Sequence, residues 1–451
     1  MDPILLLGSI LLIAAALTWI LPAGQFTRKQ DPATGRTVVT PGSYRAAQAN
    51  PVGIWGAMQS IPEGLAEAGE VVFFVFLAGA AITVVEATGA ISNFLNAIMR
   101  SFGGRPMLVL AIASILFLIG GASHNMYEEI IAFLPLLILL IRRLRMDPVI
   151  ALGVSVGTSS VAAIFSPFNT FTLGISQPMA QLPLFSGFAF RAVFFLIAMT
   201  IWAAHLAWWV KRYPVADPSA GTVEVDDAGA SPAGAWNWRD IGVLTILNGG
   251  MVLIVAGGVW LHWGLSDFGA VFVLMGLAAG LVGGLGLRGT AEHLAEGIRQ
   301  LAFAGVLVGL ARAVSVVLRN GAVLDTIANA LFAPLQALPV SVAAVMMFLA
   351  ESVLAFPMSS DSGRAMMSLP ILLPLADLLG MSRQAVVLAY QYSGLVSNLV
   401  TPTAGALLAM LSIAGIPYGR WLRFIAVPVA LLAGLSAAAL VLAVEWGGKA
   451  G

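Results

Sequence analysis

Gly120-Gly-Ala-Ser123-His124-Asn125-Met-Tyr127-Glu128-Glu129 interrupts an apolar run from 106 to 141, and Phe356-Pro357-Met358-Ser359-Ser360-Asp361-Ser362-Gly363-Arg364 interrupts another from 340 to 376. A helix rises about 1.5 Å per residue and a bilayer core is about 30 Å thick, so one span takes about 20 apolar residues. Each run is too long for a single span, and its two arms are somewhat short for two. Both therefore read as re-entrant helical hairpins whose polar tips lie at bilayer depth.

Composition agrees with a membrane setting. Of 451 residues, 59% are hydrophobic and 10% charged, where soluble domains are roughly one-quarter charged. Basic and acidic residues balance at 22 each, so no electrostatic footprint points to nucleic acid. There is no cysteine and only four scattered histidines. That excludes thiolate chemistry, argues against a resident metal site, and leaves no organic cofactor to expect. No GxxxxGK[ST] loop is present, which argues against ATP hydrolysis by this chain.

Working outward, residues 1–22 form an N-terminal membrane helix. It is read as an anchor rather than a cleaved signal because the apolar run is long and no basic region precedes it. Residues 23–69 form a polar loop, with Arg28, Lys29, Arg36 and Arg45 and an amphipathic piece near 61–68. A first unit covers 70–210, with its hairpin at 106–141 and a helix at 148–182 broken by Ser166-Pro167. A linker covers 211–240, and 241–299 supplies two connecting helices and a charged segment. A second unit covers 300–445, with its hairpin at 340–376 and a helix at 384–416 broken by Thr401-Pro402, before a tail at 446–451. Proline removes a donor and disfavours helix in the residue before it, so both helices are discontinuous.

If each hairpin returns to the side it entered, the short loops sort by charge. One side receives Arg100, Arg105, Arg142, Arg143, Arg145, Lys211, Arg212, Arg239, Arg288, Arg299, Arg420 and Arg423, and the other only Arg383. The first side is then cytoplasmic and holds the N-terminus, while the 23–69 loop faces out. Sliding the chain by 235 residues superposes Pro135 on Pro370, Met146 on Met381, Thr158 on Ser393 and Pro167 on Pro402. The loop charges make these copies inverted, which is the build of a secondary transporter with its site at the midplane. The fold class is thus an all-α polytopic membrane protein of two inverted repeats.

Polar side chains at bilayer depth need partners, water or a function. Ser123, His124, Asn125, Ser359, Ser360, Asp361 and Arg364 at the tips, with Asn169, Thr170, Asn398, Thr401 and Thr403 at the breaks, are the candidate substrate-binding set. The amides at the start of a hairpin's second arm suit a carboxylate, and the Ser and Asn oxygens suit a hard cation such as sodium. Glu86, Glu128, Glu129, Thr158, Ser393 and Arg312 are candidates for ion coupling, by Na+ or H+. Arg312, Arg319 or Arg364 would neutralise a substrate carboxylate, and His124 titrates near neutral pH if it is free to do so. Arg191 and Asp325 read as structural, paired or snorkelling toward a membrane edge, and Glu351 as a counter-charge to Arg312 or Arg364.

Those residues also carry a resemblance. Ile20-Leu-Pro-Ala-Gly24, Pro41-Gly-Ser-Tyr44, Ala87-Thr-Gly-Ala-Ile91, the tip 120–129, Ser166 to Gln177, Leu182-Pro-Leu-Phe-Ser-Gly187, Gly309-Leu-Ala-Arg312, Asp325-Thr-Ile327, Leu373-Pro-Leu-Ala-Asp377 and Ser397-Asn-Leu-Val-Thr-Pro-Thr403 resemble the C4-dicarboxylate anaerobic carrier-like family. The likeness is greatest to its YfcC-like branch, named for basic amino acid antiport. The resemblance implies an ion-transporter-superfamily fold with elevator motion, and a homodimer in the bacterial inner membrane. Asp361 and Arg364 stand where that family suggests a glycine-rich tip ending in glutamine, and His124-Asn125 are also departures. The start at Met1-Asp2-Pro3 is short for the family and raises the question of an upstream start codon.

The function expected is secondary transport of a small carboxylate-bearing solute, an amino acid or a C4-dicarboxylate, by antiport or ion-coupled symport. The mixed acids and bases favour a zwitterion slightly. A passive channel is the rival reading, though a pore has no need of two inverted copies. An intramembrane enzyme is set aside, because Ser123 and His124 are adjacent on a helix and no HExxH occurs.

Overall fold

A computed structural model describes residues 3–30, 37–91, 93, 106–213, 237–261 and 263–446. Expectations for Arg36, Arg100, Arg105 and the 214–236 part of the linker, and for the His124 side chain, fall outside the described residues. Among those described, six helices are long and apolar enough to cross a membrane. They are α1 (Pro3–Ile20), α3 (Gly69–Ala87), α9 (Phe188–Arg212), α11 (Leu265–Val282), α12 (Gly286–Asn320) and α18 (Tyr418–Trp446). Their outward faces carry exposed Leu12, Ile13, Val193, Leu196, Leu274, Val427 and Leu431, as lipid contact requires.

The loop after α1 is more ordered than its polar composition suggests. Gly24–Gln25 (β1) pairs antiparallel with Arg45–Ala46 (β4), and Arg28–Gln30 (β2) with Thr37–Val39 (β3). Helix α2, Ile54–Glu67, starts about two turns before the expected amphipathic piece. Asp325, in the first turn of α13 (Leu324–Phe332), pins the loop down. Its carboxylate accepts from Arg28 Nη2 and Nη1 at 2.7 and 3.0 Å and from the Phe26 amide at 2.9 Å. This is the structural pairing expected of Asp325, with a partner in the loop.

Helix α12 corrects one boundary. Residues 286–299, expected as a charged segment apart from the second unit, continue into 300–320 as one helix of 35 residues. Arg288–Glu292 and Arg299–Glu296 pair at 2.9 and 2.7 Å along its surface, so those charges solvate a helix rather than ending it. Small residues let α12 lie against α3. A Cβ at Gly297 would strike the Gly79 carbonyl and the Ala80 backbone, and close approach of this kind supplies packing where water gives no hydrophobic drive.

Both interrupted runs fold as helix, turn, helix. The first is α4 (Pro106–His124), a turn at 125–129, and α5 (Ile130–Arg143). The second is α14 (Val340–Leu354), a turn at 355–360, and α15 (Asp361–Leu378). With 14 residues in α5 and 15 in α14, these arms reach only about 21–23 Å, short of a span. Asn125 adopts φ 61° to turn the first tip. Ser360 caps the second, its hydroxyl accepting from the Gly363 amide at 3.3 Å.

Both proline-marked helices are broken. In the first, α6 (Val149–Leu152), a π-helical turn (Gly153–Gly157) and α7 (Thr158–Phe165) precede the break, and α8 (Thr172–Met179) follows it. In the second, α16 (Arg383–Leu399) and α17 (Gly405–Ile413) flank it. Between α9 and α11, Trp238–Trp260 forms α10, begun by a capping box of Asn237 and Asp240.

Candidate functional site

Each hairpin tip is tied to the broken helix that follows it in sequence. Ser166 Oγ donates to the Ala122 carbonyl at 2.6 Å, Asn169 Nδ2 to Gly121 at 2.9 Å, and Thr170 Oγ1 to Ser123 at 2.9 Å. Ser159 donates to the Met126 carbonyl as well. In the second unit Thr403 Oγ1 donates to the Phe356 carbonyl at 2.6 Å. Gly121 and Phe356 are the residues that the 235-residue offset superposes, and Asn169 and Thr403 differ from it by one position. The two tips are thus docked by nearly equivalent bonds.

A break exposes carbonyls that lipid cannot satisfy, and side chains take them up. Gln391 Nε2 donates to Ala163 and Ser166 at 3.3 and 2.9 Å, closing the end of α7. Trp421 Nε1 donates to Leu399 at 2.8 Å, Tyr418 to Val400, and Tyr127, from the first tip, to Asn398 at 2.7 Å. The Phe165 ring, at the first break, and the Tyr392 ring, about two turns before the second, lie 4.8 Å apart.

Where the tips and breaks meet, Asn125, Thr172, Asp361, Arg364, Tyr390, Gln391 and Asn398 line a chamber of about 10 Å³. That is room for one water-sized particle. Arg364, 1% exposed, pairs with Asp361 at 2.8 Å and with the fully buried Glu351 at 3.3 Å. Its guanidinium stands over the Tyr390 ring, 5.7 Å from the centroid, and its Nη1 has no hydrogen-bond partner among the described residues. Tyr390 donates its hydroxyl to the Asp361 carbonyl at 3.0 Å. Glu128 of the first tip lies within electrostatic range of Asp361 of the second.

A second cavity, of about 310 Å³, lies on the other side of the 358–363 turn, lined by Arg28, Arg312, Ser315, Arg319, Asp325, Met358, Ser360 and Gly363 among others. Glu67 of α2 bonds Arg312 Nε at 3.0 Å and also bonds Arg319, which reaches Glu63 at 3.3 Å. The Arg319 hydrogen bond holds the Glu67 carboxyl below the usual carboxylate range.

Of the expected substrate set, Asn125, Asp361, Arg364 and Asn398 line the chamber. The others do not. Asn169 is buried, its side-chain Oδ1 accepting from the Phe171 and Thr172 amides and the Thr172 hydroxyl. Thr170 and Thr403 hold tips in place, and Ser360 faces the larger cavity. Ser123 and Thr401 donate to their own helices, to Ile119 at 2.7 Å and Val396 at 2.9 Å. The Ser359 side chain makes no hydrogen bond among the described residues.

The ion-coupling set is scattered, which corrects its grouping. Thr158 and Ser393 are buried and donate to Gly153 at 3.1 Å and Tyr390 at 2.6 Å, because a hydroxyl inside a helix reaches its own backbone first. Glu129 accepts from the Tyr127 amide at 3.0 Å, folding onto its own tip. Glu86 sits at the end of α3, and Arg319 pairs with α2 instead of with it. Arg312 lines the larger cavity and not the chamber. Glu351 is the counter-charge of Arg364 rather than of Arg312. Arg191 does not snorkel: it is 1% exposed and bonds Gln391 and, at 3.2 Å, Gln384.

Sequence reasoning missed Gln391, Tyr390 and the two glutamates of α2. Gln391 carried a signal, an amide side chain within a run expected at bilayer depth.

The model of the family described as C4-dicarboxylate anaerobic carrier matches residues 2–445. YfcC of Escherichia coli K12, a candidate basic amino acid antiporter by name, is 28% identical over 96% of this chain and 94% of its own. An uncharacterized protein of Haemophilus influenzae is 26% identical over 93% and 92%. Among solved structures, the YdaH transporter of Alcanivorax borkumensis aligns over 99% of both chains, with 16% identity and a TM-score of 0.42.

Proposed function

Since the chain belongs to the C4-dicarboxylate anaerobic carrier family and is a multi-pass membrane protein and a secondary transporter, we propose that it carries a small carboxylate-bearing amino acid between the two hairpin tips. A C4-dicarboxylate is the second reading. One observation carries the proposal: a single small chamber takes Asn125 from one tip, Asp361 and Arg364 from the other, and Gln391 and Asn398 from the second broken helix.

Arg364 Nη1, buried and unbonded, supplies a donor for a carboxylate. Asp361 and Glu351 already set two carboxylates against it, which favours a solute that also carries a positive charge. The name of the Escherichia coli relative points the same way. Movement is by antiport or by coupling to Na+ or H+. A cation in the chamber would meet Arg364, so exchange of like solutes needs the least rearrangement of charge.

The two units act as inverted repeats, with the hairpins re-entering from opposite sides and the tip-bearing part moving as an elevator against α3 and α12. The membrane is the bacterial inner membrane, with the N-terminus cytoplasmic and the 23–69 loop outside. The test is counterflow in proteoliposomes loaded with L-arginine, L-lysine or succinate, with and without sodium. Labelled solute should accumulate transiently against its gradient when the same solute is inside. Flux that is linear in concentration and indifferent to the internal solute would make the protein a channel.

A further inference from the structure

We infer that the larger cavity is a separate capture site for the carboxylate of a small solute, with Arg312 as its fork. The inference rests on the transporter reading for its purpose but not for its chemistry. Size separates the two cavities. At about 310 Å³ the larger one falls within the range of ligand pockets, while the chamber of about 10 Å³ admits one water-sized particle. A solute arriving from the loop side therefore meets a cavity it fits before it meets the chamber.

The wall between them is one turn of chain. Met358, Ser360 and Gly363 face the larger cavity, and Asp361 and Arg364 the chamber.

Three guanidiniums reach the cavity, in different states. Arg28 has both terminal nitrogens on Asp325, and Arg319 has both on Glu63 and Glu67. Arg312 gives only Nε to Glu67, and its two terminal nitrogens make no hydrogen bond among the described residues. It is 36% exposed, so the fork is wetted rather than buried. A planar pair of N–H groups with its third edge fixed is the geometry that takes a carboxylate in two parallel bonds. Glu67 thus has two effects: it orients Arg312 and lowers the positive potential that a carboxylate would feel.

The experiment is direct binding of succinate and of L-lysine to the purified full chain at low salt, by calorimetry, for the wild type and three variants. One of the two should bind with a dissociation constant of about 1 mM, as fits one charge-assisted fork in a wet cavity. Arg312→Gln should weaken that binding at least tenfold. Met358→Trp, which fills the cavity without touching an ion pair, should weaken it as much. Glu67→Gln should tighten it severalfold, a gain that a merely structural role for the pair would not produce.

Binding that survives Arg312→Gln and Met358→Trp would overturn the proposal. So would the absence of saturable binding by either probe. The carrier reading is judged apart from this, by counterflow: exchange that persists at wild-type affinity in Arg312→Gln leaves the carrier standing and removes the capture site.

Discussion

The Tyr127 hydroxyl of the first hairpin tip donates to the Asn398 carbonyl at the end of α16, 2.7 Å away and 271 residues along the chain. It bonds a carbonyl freed by the second break, so the tip of one unit completes the backbone of the other. Tyr127→Phe keeps the ring and removes the bond. The expected cost is about 1 kcal/mol of stability, with a larger fractional loss of counterflow than of thermal midpoint. Equal wild-type exchange rates in reconstituted vesicles would show that the tie is not needed.

Arg364 and Glu351 form an ion pair with almost no solvent access, 1% and 0% exposed. Removing one member strands the other, so Arg364→Met should destabilise by about 3–5 kcal/mol. Arg364→Met combined with Glu351→Gln should recover most of that stability, while transport stays lost in both. Thermal unfolding of the single and double variants in one detergent checks this, and a double variant no more stable than the single contradicts it.

Gly121 lies against Ser159, where a Cβ would strike the Ser159 backbone from its carbonyl oxygen to its Cα. Backbone yields less than a side chain. Gly121→Ala should cost roughly 1–3 kcal/mol and loosen the Ser159 bond to Met126. A matched Gly174→Ala, where a Cβ meets open space, serves as the control and should fall near zero.

Glu67 is held below the usual carboxylate range, chiefly by its hydrogen bond from Arg319. A carboxyl lowered on folding adds stability above its unfolded value, near 4.5, and loses it as pH falls through the folded value. The difference in thermal midpoint between wild type and Glu67→Gln should therefore be constant from about pH 6 upward and vanish in stronger acid. Partial exposure, 27% for Glu67, keeps the effect modest. A difference that grows as pH falls would reverse the sign and exclude this cause.

The hairpins and breaks were legible because polar clusters and prolines have few reasons to stand inside apolar runs. Their partners were not. Arg312 meets Glu67 across 245 residues, and a glutamate in a polar loop carries no mark of its destination. Thr158 and Ser393 looked like ligands because a hydroxyl at depth is conspicuous, yet the nearest acceptor is its own helix. Arg191 was read toward an edge because a buried cation ordinarily has an acid beside it. Amide oxygens of Gln391 and Gln384 hold it instead, with Gln391 also closing the end of α7. The 286–299 stretch was misjudged because its charges pair along a helix surface, a pattern that composition alone reads as a loop.

The tight packing around the chamber also bears on the membrane that holds the protein. Space for one water-sized particle is too little for a continuous file of water between the two faces, and an ion entering dry protein loses several kcal/mol of hydration. On the proposed carrier reading, an ion taking that path meets a dielectric barrier at the chamber, and a solute passes when the tips part around it and its own contacts replace the lost water.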